Sequence, residues 1–148
     1  MGFPRPQQLT VAQQAMLMRH SSWVRGEGRV HCGVLRWDFA VRPSVAGREY
    51  LVNLEYRQHG VPNVVVRAPD LVALAENRNL PHVYSQDPVR LCLYLPGSGE
   101  WHRGLSLAKT IVPWTYLWFD YFEEWLVSNE WQGGGMHPTL ARQRGRLH

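Results

Sequence analysis

The chain has 148 residues, of which 45% are hydrophobic, and a formal net charge of +4 at pH 7. This length suits one domain with a sizeable core, and seven tryptophans favour a packed globule over a disordered chain. Because there is no apolar run of about 18 residues and no N-terminal secretory segment, the sequence predicts a cytoplasmic protein without a membrane partner.

Charge and cysteine content narrow the classes of ligand further. Three arginines lie in the last seven residues, so the rest of the chain is nearly neutral and has no basic stripe for nucleic acid. Two cysteines, Cys32 and Cys92, are too few for a disulfide framework, and the scattered histidines lack metal-ligand spacing. We therefore expect no metal, no cofactor and no nucleic-acid partner.

The first predicted element is an amphipathic helix over residues 10–20. Thr10 followed by Gln13 fits a capping box. The residues that recur at helical spacing are Ala12, Ala15, Met16 and Arg19. This face is expected to pack on the rest of the domain.

Three strand patterns come next. Residues 29–41 change phase between Val34 and Trp37, which predicts one strand with a bulge near Leu35 and places Cys32 in the core. Residues 49–58 alternate as a half-buried strand and residues 61–67 form a third. The short connections predict an antiparallel meander.

Two helical patterns lie in the second half. Residues 70–76 predict about one turn of helix, and a longer helix is expected to begin at Pro113. Its aromatic face, predicted to lie on the sheet, comprises Trp114, Leu117, Trp118, Tyr121, Phe122 and Trp125. Residues 129–135, with three glycines, are expected to end it.

Between these helices, residues 79–101 are too irregular to form one helix or one strand. Three prolines and a Gly-Ser-Gly turn interrupt the stretch. It places Cys92 ten residues after His82 and nine before Trp101. Because loops of this length in a compact domain are usually functional, we expect it to hold one thiol at the surface.

The order of elements and the spacing of His82, Cys92 and Trp101 resemble the ubiquitin-conjugating enzymes (E2), which place a His-Pro-Asn motif before the active-site cysteine and a tryptophan after it. The likeness is closer to bacterial relatives from CBASS antiviral operons, through the cysteine segment Leu-Cys-Leu-Tyr at 91–94, the aromatic helix, and the W-x-G-G-G-x-H-P end at 131–138. The order of elements predicts an α+β domain with helices against one antiparallel sheet, and the resemblance implies that it is ubiquitin-conjugating-enzyme-like over residues 1–137. The arginines near the end predict a flexible basic tail over 138–148.

The function that the resemblance implies is thioester transfer. Cys92 would carry the C-terminus of a partner cGAS-like nucleotidyltransferase, or a ubiquitin-like protein, and conjugate it to a target amine in antiviral CBASS signalling. The chain contains no adenylating domain, so activation is expected to come from elsewhere, or else the enzyme works without it. The family's motif is altered, since Val83 replaces its proline and Tyr84 its asparagine, which supports the oxyanion.

Each candidate catalytic residue has a structural alternative. Cys92 is a thioester nucleophile, helped to ionise by His82, His102 or Arg90, or else a small buried hydrophobe. His82 polarises the acyl group or orients the loop, and Tyr84 donates to the oxyanion or only packs. Trp101 is expected to form the wall that fixes the position of the loop. Asp87 either accepts the proton of an attacking lysine or forms a turn before Pro88.

Two other functions remain open from the sequence. One is a non-catalytic module of the same fold that docks a partner. The other is a cysteine hydrolase that uses Cys92 and His82, although no third orienting residue is evident.

Overall fold

A computed structural model describes residues 7–133, so the predicted tail at 138–148 and most of the 131–138 motif lie outside the described residues. The elements are α1 (Val11–His20), β1 (Glu27–His31), β2 (Val34–Val41), β3 (Tyr50–Arg57), β4 (Asn63–Ala68), α2 (Leu71–Leu74), β5 (Val83–Gln86), β6 (Val89–Leu91) and α3 (Ile111–Ser128). The strands form one antiparallel sheet in the order β1-β2-β3-β4-β6-β5. The predicted α+β class with an antiparallel sheet is confirmed.

Packing of α3 on β3 forms the centre of the core. The ring of Tyr50 stacks on Phe119 with centroids 4.1 Å apart, an arrangement that adds about 0.5–1.5 kcal/mol beyond the area it buries. The Tyr50 hydroxyl donates to the Glu123 carboxylate at 2.8 Å, and the Arg48 amide donates to the same oxygen at 2.9 Å. These bonds fix the position of α3 along the sheet.

The capping box of α1 is confirmed, but its predicted packing face is wrong. Thr10 and Gln13 exchange both reciprocal bonds. Met16 is exposed, whereas the buried residues are Val11, Gln14, Ala15 and Met18. The buried Gln14 amide donates to the Leu105 carbonyl and accepts from the Leu107 amide. Apolar periodicity misses this face because its centre is a polar side chain satisfied by backbone groups.

The predicted bulged strand over residues 29–41 is a hairpin of β1 and β2. Cys32 and Gly33, with φ of 50° and 74°, form its two-residue turn. Positive φ at both positions is the conformation that matches the twist of a tight hairpin. Cys32 is therefore exposed, and its predicted place in the core is wrong. The phase change in the sequence arises because the chain reverses.

The strand pattern in β3 is confirmed, since Tyr50, Val52, Leu54 and Tyr56 are buried. The irregular stretch, in contrast, contributes two short strands, β5 and β6, that extend the predicted meander beside β4. Strands of four and three residues are too short to show a periodicity. Asp70 caps the short helix α2 as the pattern at 70–76 indicates.

Helix α3 begins at Ile111, two residues before Pro113, and Asn129 ends it in the left-handed conformation. Its buried residues are Ile111, Val112, Thr115, Trp118, Phe119, Phe122 and Trp125, so the face is rotated from the predicted one. Leu117 is exposed, and Trp114 and Tyr121 are half-buried. None of the helices within residues 7–133 has the length and hydropathy needed to span a bilayer.

Candidate functional site

The backbone around Cys92 is anchored from two sides. Cys92 follows the end of β6, and its amide donates to the His82 carbonyl at 3.0 Å. The indole Nε1 of Trp118, on α3, donates to the same carbonyl at 2.9 Å. His82 holds a φ of 49°, a left-handed conformation that is uncommon outside glycine and turns its carbonyl to this double role. The structural interpretation of His82 is thus supported through its main chain.

The His82 ring is covered by the segment that follows α3. Trp131 stacks on it with centroids 4.8 Å apart and an interplanar angle of 22°. Trp131 also contacts Trp118 and Tyr121 at 5.6 and 5.8 Å between centroids. A Cβ at Gly133 would lie 2.7 Å from the Trp131 indole and the Tyr121 ring. A larger residue at this position, where the chain folds back after α3, would therefore displace one of these rings.

Cys92 lines a pocket of about 250 Å³, which we call the thiol pocket. Its other lining residues are His82, Leu93, Glu100, Trp114, Leu117, Trp118, Tyr121, Trp131 and Gly133. Glu100 is the one carboxylate in this set. Asp87 instead lies in the turn between β5 and β6, in agreement with the turn-forming interpretation.

The side chain of Cys92 is 8% exposed. Burial raises the pKa of its thiol, and the Glu100 carboxylate raises it further, whereas hydrogen bonds with the Tyr84 side chain and the Tyr94 backbone lower it. The thiol also donates to the Tyr94 carbonyl oxygen at 3.4 Å. The net direction is upward because desolvation of the thiolate is the largest contribution.

Tyr84 lies beside the sulfur, on β5. Burial raises the pKa of its phenol well above the ordinary value of 10, and interaction with the Cys92 side chain raises it further. The phenol is therefore protonated at neutral pH and donates to the sulfur when Cys92 ionises. Arg90 covers the Tyr84 ring, with its guanidinium carbon 5.0 Å from the centroid.

A second and larger cavity, of about 800 Å³, lies on the Tyr84 side of the same segment. We call it the basic cleft, because Arg90, Arg103, His59 and His102 line it. Trp101 forms part of its wall and is buried, as the sequence predicts.

The structure thus places Cys92 and His82 on the thiol pocket, whereas Tyr84 interacts with Cys92 from the side of the basic cleft. Arg90 and His102 line the basic cleft, not the thiol pocket, and the charge that perturbs the Cys92 pKa is that of Glu100. Sequence reasoning missed Glu100, for which adjacency to Trp101 is the sole signal. The sequence placed Trp131 within a motif but did not predict its contact with His82.

One protein family matches the stretch of chain that contains this site. No curated protein matches the chain. The family model described as "Type II CBASS E2 protein" matches residues 13–138, which include every residue of the thiol pocket. The chain therefore belongs to the family of type II CBASS E2 proteins.

Proposed function

We propose that this chain is a transferase that carries an acyl group as a thioester on Cys92 and passes it to an amine of a target protein, within one E2-like domain over residues 1–137. The observation that carries the proposal is the environment of Cys92. Its thiol lines an aromatic pocket, its main chain is anchored by His82, and the protonated phenol of Tyr84 interacts with its side chain.

In the first step, the Cys92 thiolate attacks the carbonyl carbon of an activated acyl donor. The C–S bond forms and the leaving group departs with its electron pair. In the second step, an amine attacks the thioester, the C–N bond forms, and the thiolate leaves. The amine must lose a proton, and Glu100 is the carboxylate of the thiol pocket available to accept it.

Tyr84 serves both steps. The carbonyl oxygen of an acyl group on Cys92 lies two bonds from the sulfur, within the region that the Tyr84 phenol borders. A donor in that position stabilises the negative charge that develops on the oxygen during either attack. Tyr84 thus takes the role that asparagine has in the family's His-Pro-Asn motif.

For the carried group, we propose the C-terminus of a cGAS-like nucleotidyltransferase, on the strength of the family's place in CBASS. The test is co-expression with such an enzyme from the same operon, followed by denaturing, non-reducing mass spectrometry. Wild type and Cys32→Ser should show a mass-shifted adduct that hydroxylamine removes. Cys92→Ala should show none, and Cys92→Ser should accumulate a more stable ester.

A second candidate is a module that docks the same partner without catalysis. The raised pKa of the buried Cys92 thiol favours it, because the thiolate is the nucleophilic form. Co-purification of the two proteins without any adduct on wild type would select this function. Release of a free carboxylate, with no adduct on either protein, would instead indicate a cysteine hydrolase.

A further inference from the structure

The basic cleft has a chemistry distinct from that of the thiol pocket. Its lining includes the guanidinium groups of Arg90 and Arg103 and no carboxylate. All ion pairs among residues 7–133 involve other arginines, namely Arg36, Arg42 and Arg57. The cleft therefore carries positive charge that the described part of the chain does not neutralise.

The two histidines of the cleft are donors as well. Nδ1 of His102 accepts from the Gly104 amide at 3.1 Å, and Nδ1 of His59 accepts from the Arg103 guanidinium. With Nδ1 accepting, a neutral imidazole carries its proton on Nε2. Both rings thus have an N–H to offer even without being charged.

The wall of the cleft contains a buried donor without a partner. Among residues 7–133, Nε1 of Trp101 has no hydrogen-bond partner, and the residue is 8% exposed. Buried polar groups in proteins are almost always satisfied, and an unpaired one costs about 1–3 kcal/mol. Because this nitrogen is fully buried, the donors that a ligand in the cleft can reach are the guanidinium and imidazole groups.

Apolar and aromatic surface completes the cleft. Tyr84 and Tyr94 are half-buried lining residues, and Leu93 lies between them and the thiol pocket, which it also lines. A volume of about 800 Å³ is typical of small-molecule sites. Aromatic rings beside cationic donors suit a ligand that combines a planar base with phosphate.

We propose that the basic cleft binds a nucleoside monophosphate group, with the phosphate among Arg103, His59 and His102 and the base against the tyrosines. An extended peptide fits this wall less well, because it presents as many N–H donors as carbonyl acceptors. Phosphate presents acceptors only. The amides of Gln8 and Asn63 are the lining side chains, apart from the hydroxyls, able to accept from the base.

This binding proposal does not depend on thioester chemistry, and its test is a binding measurement on the full chain. By isothermal titration calorimetry, AMP should bind with a saturable 1:1 isotherm. Adenosine and ribose 5-phosphate should each bind at least about tenfold more weakly, because each lacks half of the ligand.

Variants connect the binding to the cleft. Arg103→Gln should weaken AMP binding at least about tenfold, whereas Arg19→Gln, an exposed arginine on α1, should leave it unchanged. Circular dichroism and thermal melting check that each variant is folded.

Three results would overturn the proposal. They are the absence of saturable AMP binding at millimolar concentration, an unchanged affinity in folded Arg103→Gln, and ribose 5-phosphate or an acidic hexapeptide binding as tightly as AMP. A glycyl sulfamoyl adenosine, which mimics an acyl adenylate, identifies the source of the ligand. Tighter binding than AMP indicates the adenylate half of an acyl donor, and equal binding indicates a free nucleotide.

Discussion

The two cysteines occupy opposite environments, and neither is where a simple reading of the sequence puts it. Cys32 lies in the exposed turn of the β1–β2 hairpin, while Cys92 is buried beside α3. The exposed thiol lines neither the thiol pocket nor the basic cleft, whereas the buried one lies beside the anchored His82 carbonyl, the Glu100 carboxylate and the Tyr84 phenol. The solvent exposure of a cysteine and the presence of functional groups around it are therefore separate properties. The candidate function depends on the surrounding groups.

The largest expected effect is opposite behaviour of the two thiols in two assays. At neutral pH, iodoacetamide should modify Cys32 at least about tenfold faster than Cys92, because each unit by which burial raises the Cys92 pKa costs about a factor of ten in thiolate. Mass spectrometry of the Cys32→Ser and Cys92→Ser variants assigns each kinetic phase of alkylation to one cysteine. The acyl adduct should depend on Cys92 alone. Equal alkylation rates of Cys32 and Cys92 in the native protein would contradict the contrast. As a control, the two cysteines should react at equal rates in denaturant.

Tyr84→Phe sharpens the contrast by removing the hydrogen bond that favours the Cys92 thiolate. The pKa of Cys92 should rise further, so alkylation at fixed pH should slow about fivefold, the equivalent of one hydrogen bond of about 1 kcal/mol. The pH–rate profile should shift to higher pH without a change in its plateau. Tyr116→Phe, which removes a distant phenol bonded to the Ala40 carbonyl, is the matched control. An unshifted profile would argue against the Tyr84–Cys92 bond.

Gly33→Ala tests the turn that exposes Cys32. Open space surrounds the site of the new Cβ, so the cost comes from the φ of 74° alone. We expect a loss of about 1 kcal/mol in the free energy of unfolding, or about fivefold in the folding equilibrium. Urea denaturation measures it, and Cys92 alkylation should not change. An unaltered midpoint would mean that the turn differs from the one described.

The smallest expected effect belongs to Glu100→Gln. Its carboxylate raises the Cys92 pKa, so removal should lower that pKa and speed alkylation by about twofold, a modest change because an exposed charge is screened. Aminolysis of the thioester should slow instead, since the proton acceptor is lost. Glu124→Gln, on the exposed face of α3, is the control. Slower alkylation, or faster aminolysis, would contradict the role proposed for Glu100.

Local chemistry was readable wherever neighbours in sequence satisfy each other. The Thr10 capping box, the helical turn that begins after Asp70, the alternation in β3 and the end of α3 at Asn129 are short-range features and were predicted. The hairpin turn at Cys32 was not, because a reversing chain and a bulged strand give the same phase change. The strands β5 and β6 were not predicted because they are too short to show a periodicity.

Within the candidate site, the sequence by itself determined the identity and spacing of Cys92, His82 and Tyr84, and through them the family. Only the tertiary structure decided that the His82 carbonyl accepts from the Cys92 amide, that Glu100 and Trp131 join the thiol pocket, and that Arg90 faces the basic cleft. The physical reason is that these contacts join β6, α3 and the segment after it. Burial and charge at Cys92 depend on those distant elements, and spacing along the chain carries no record of them.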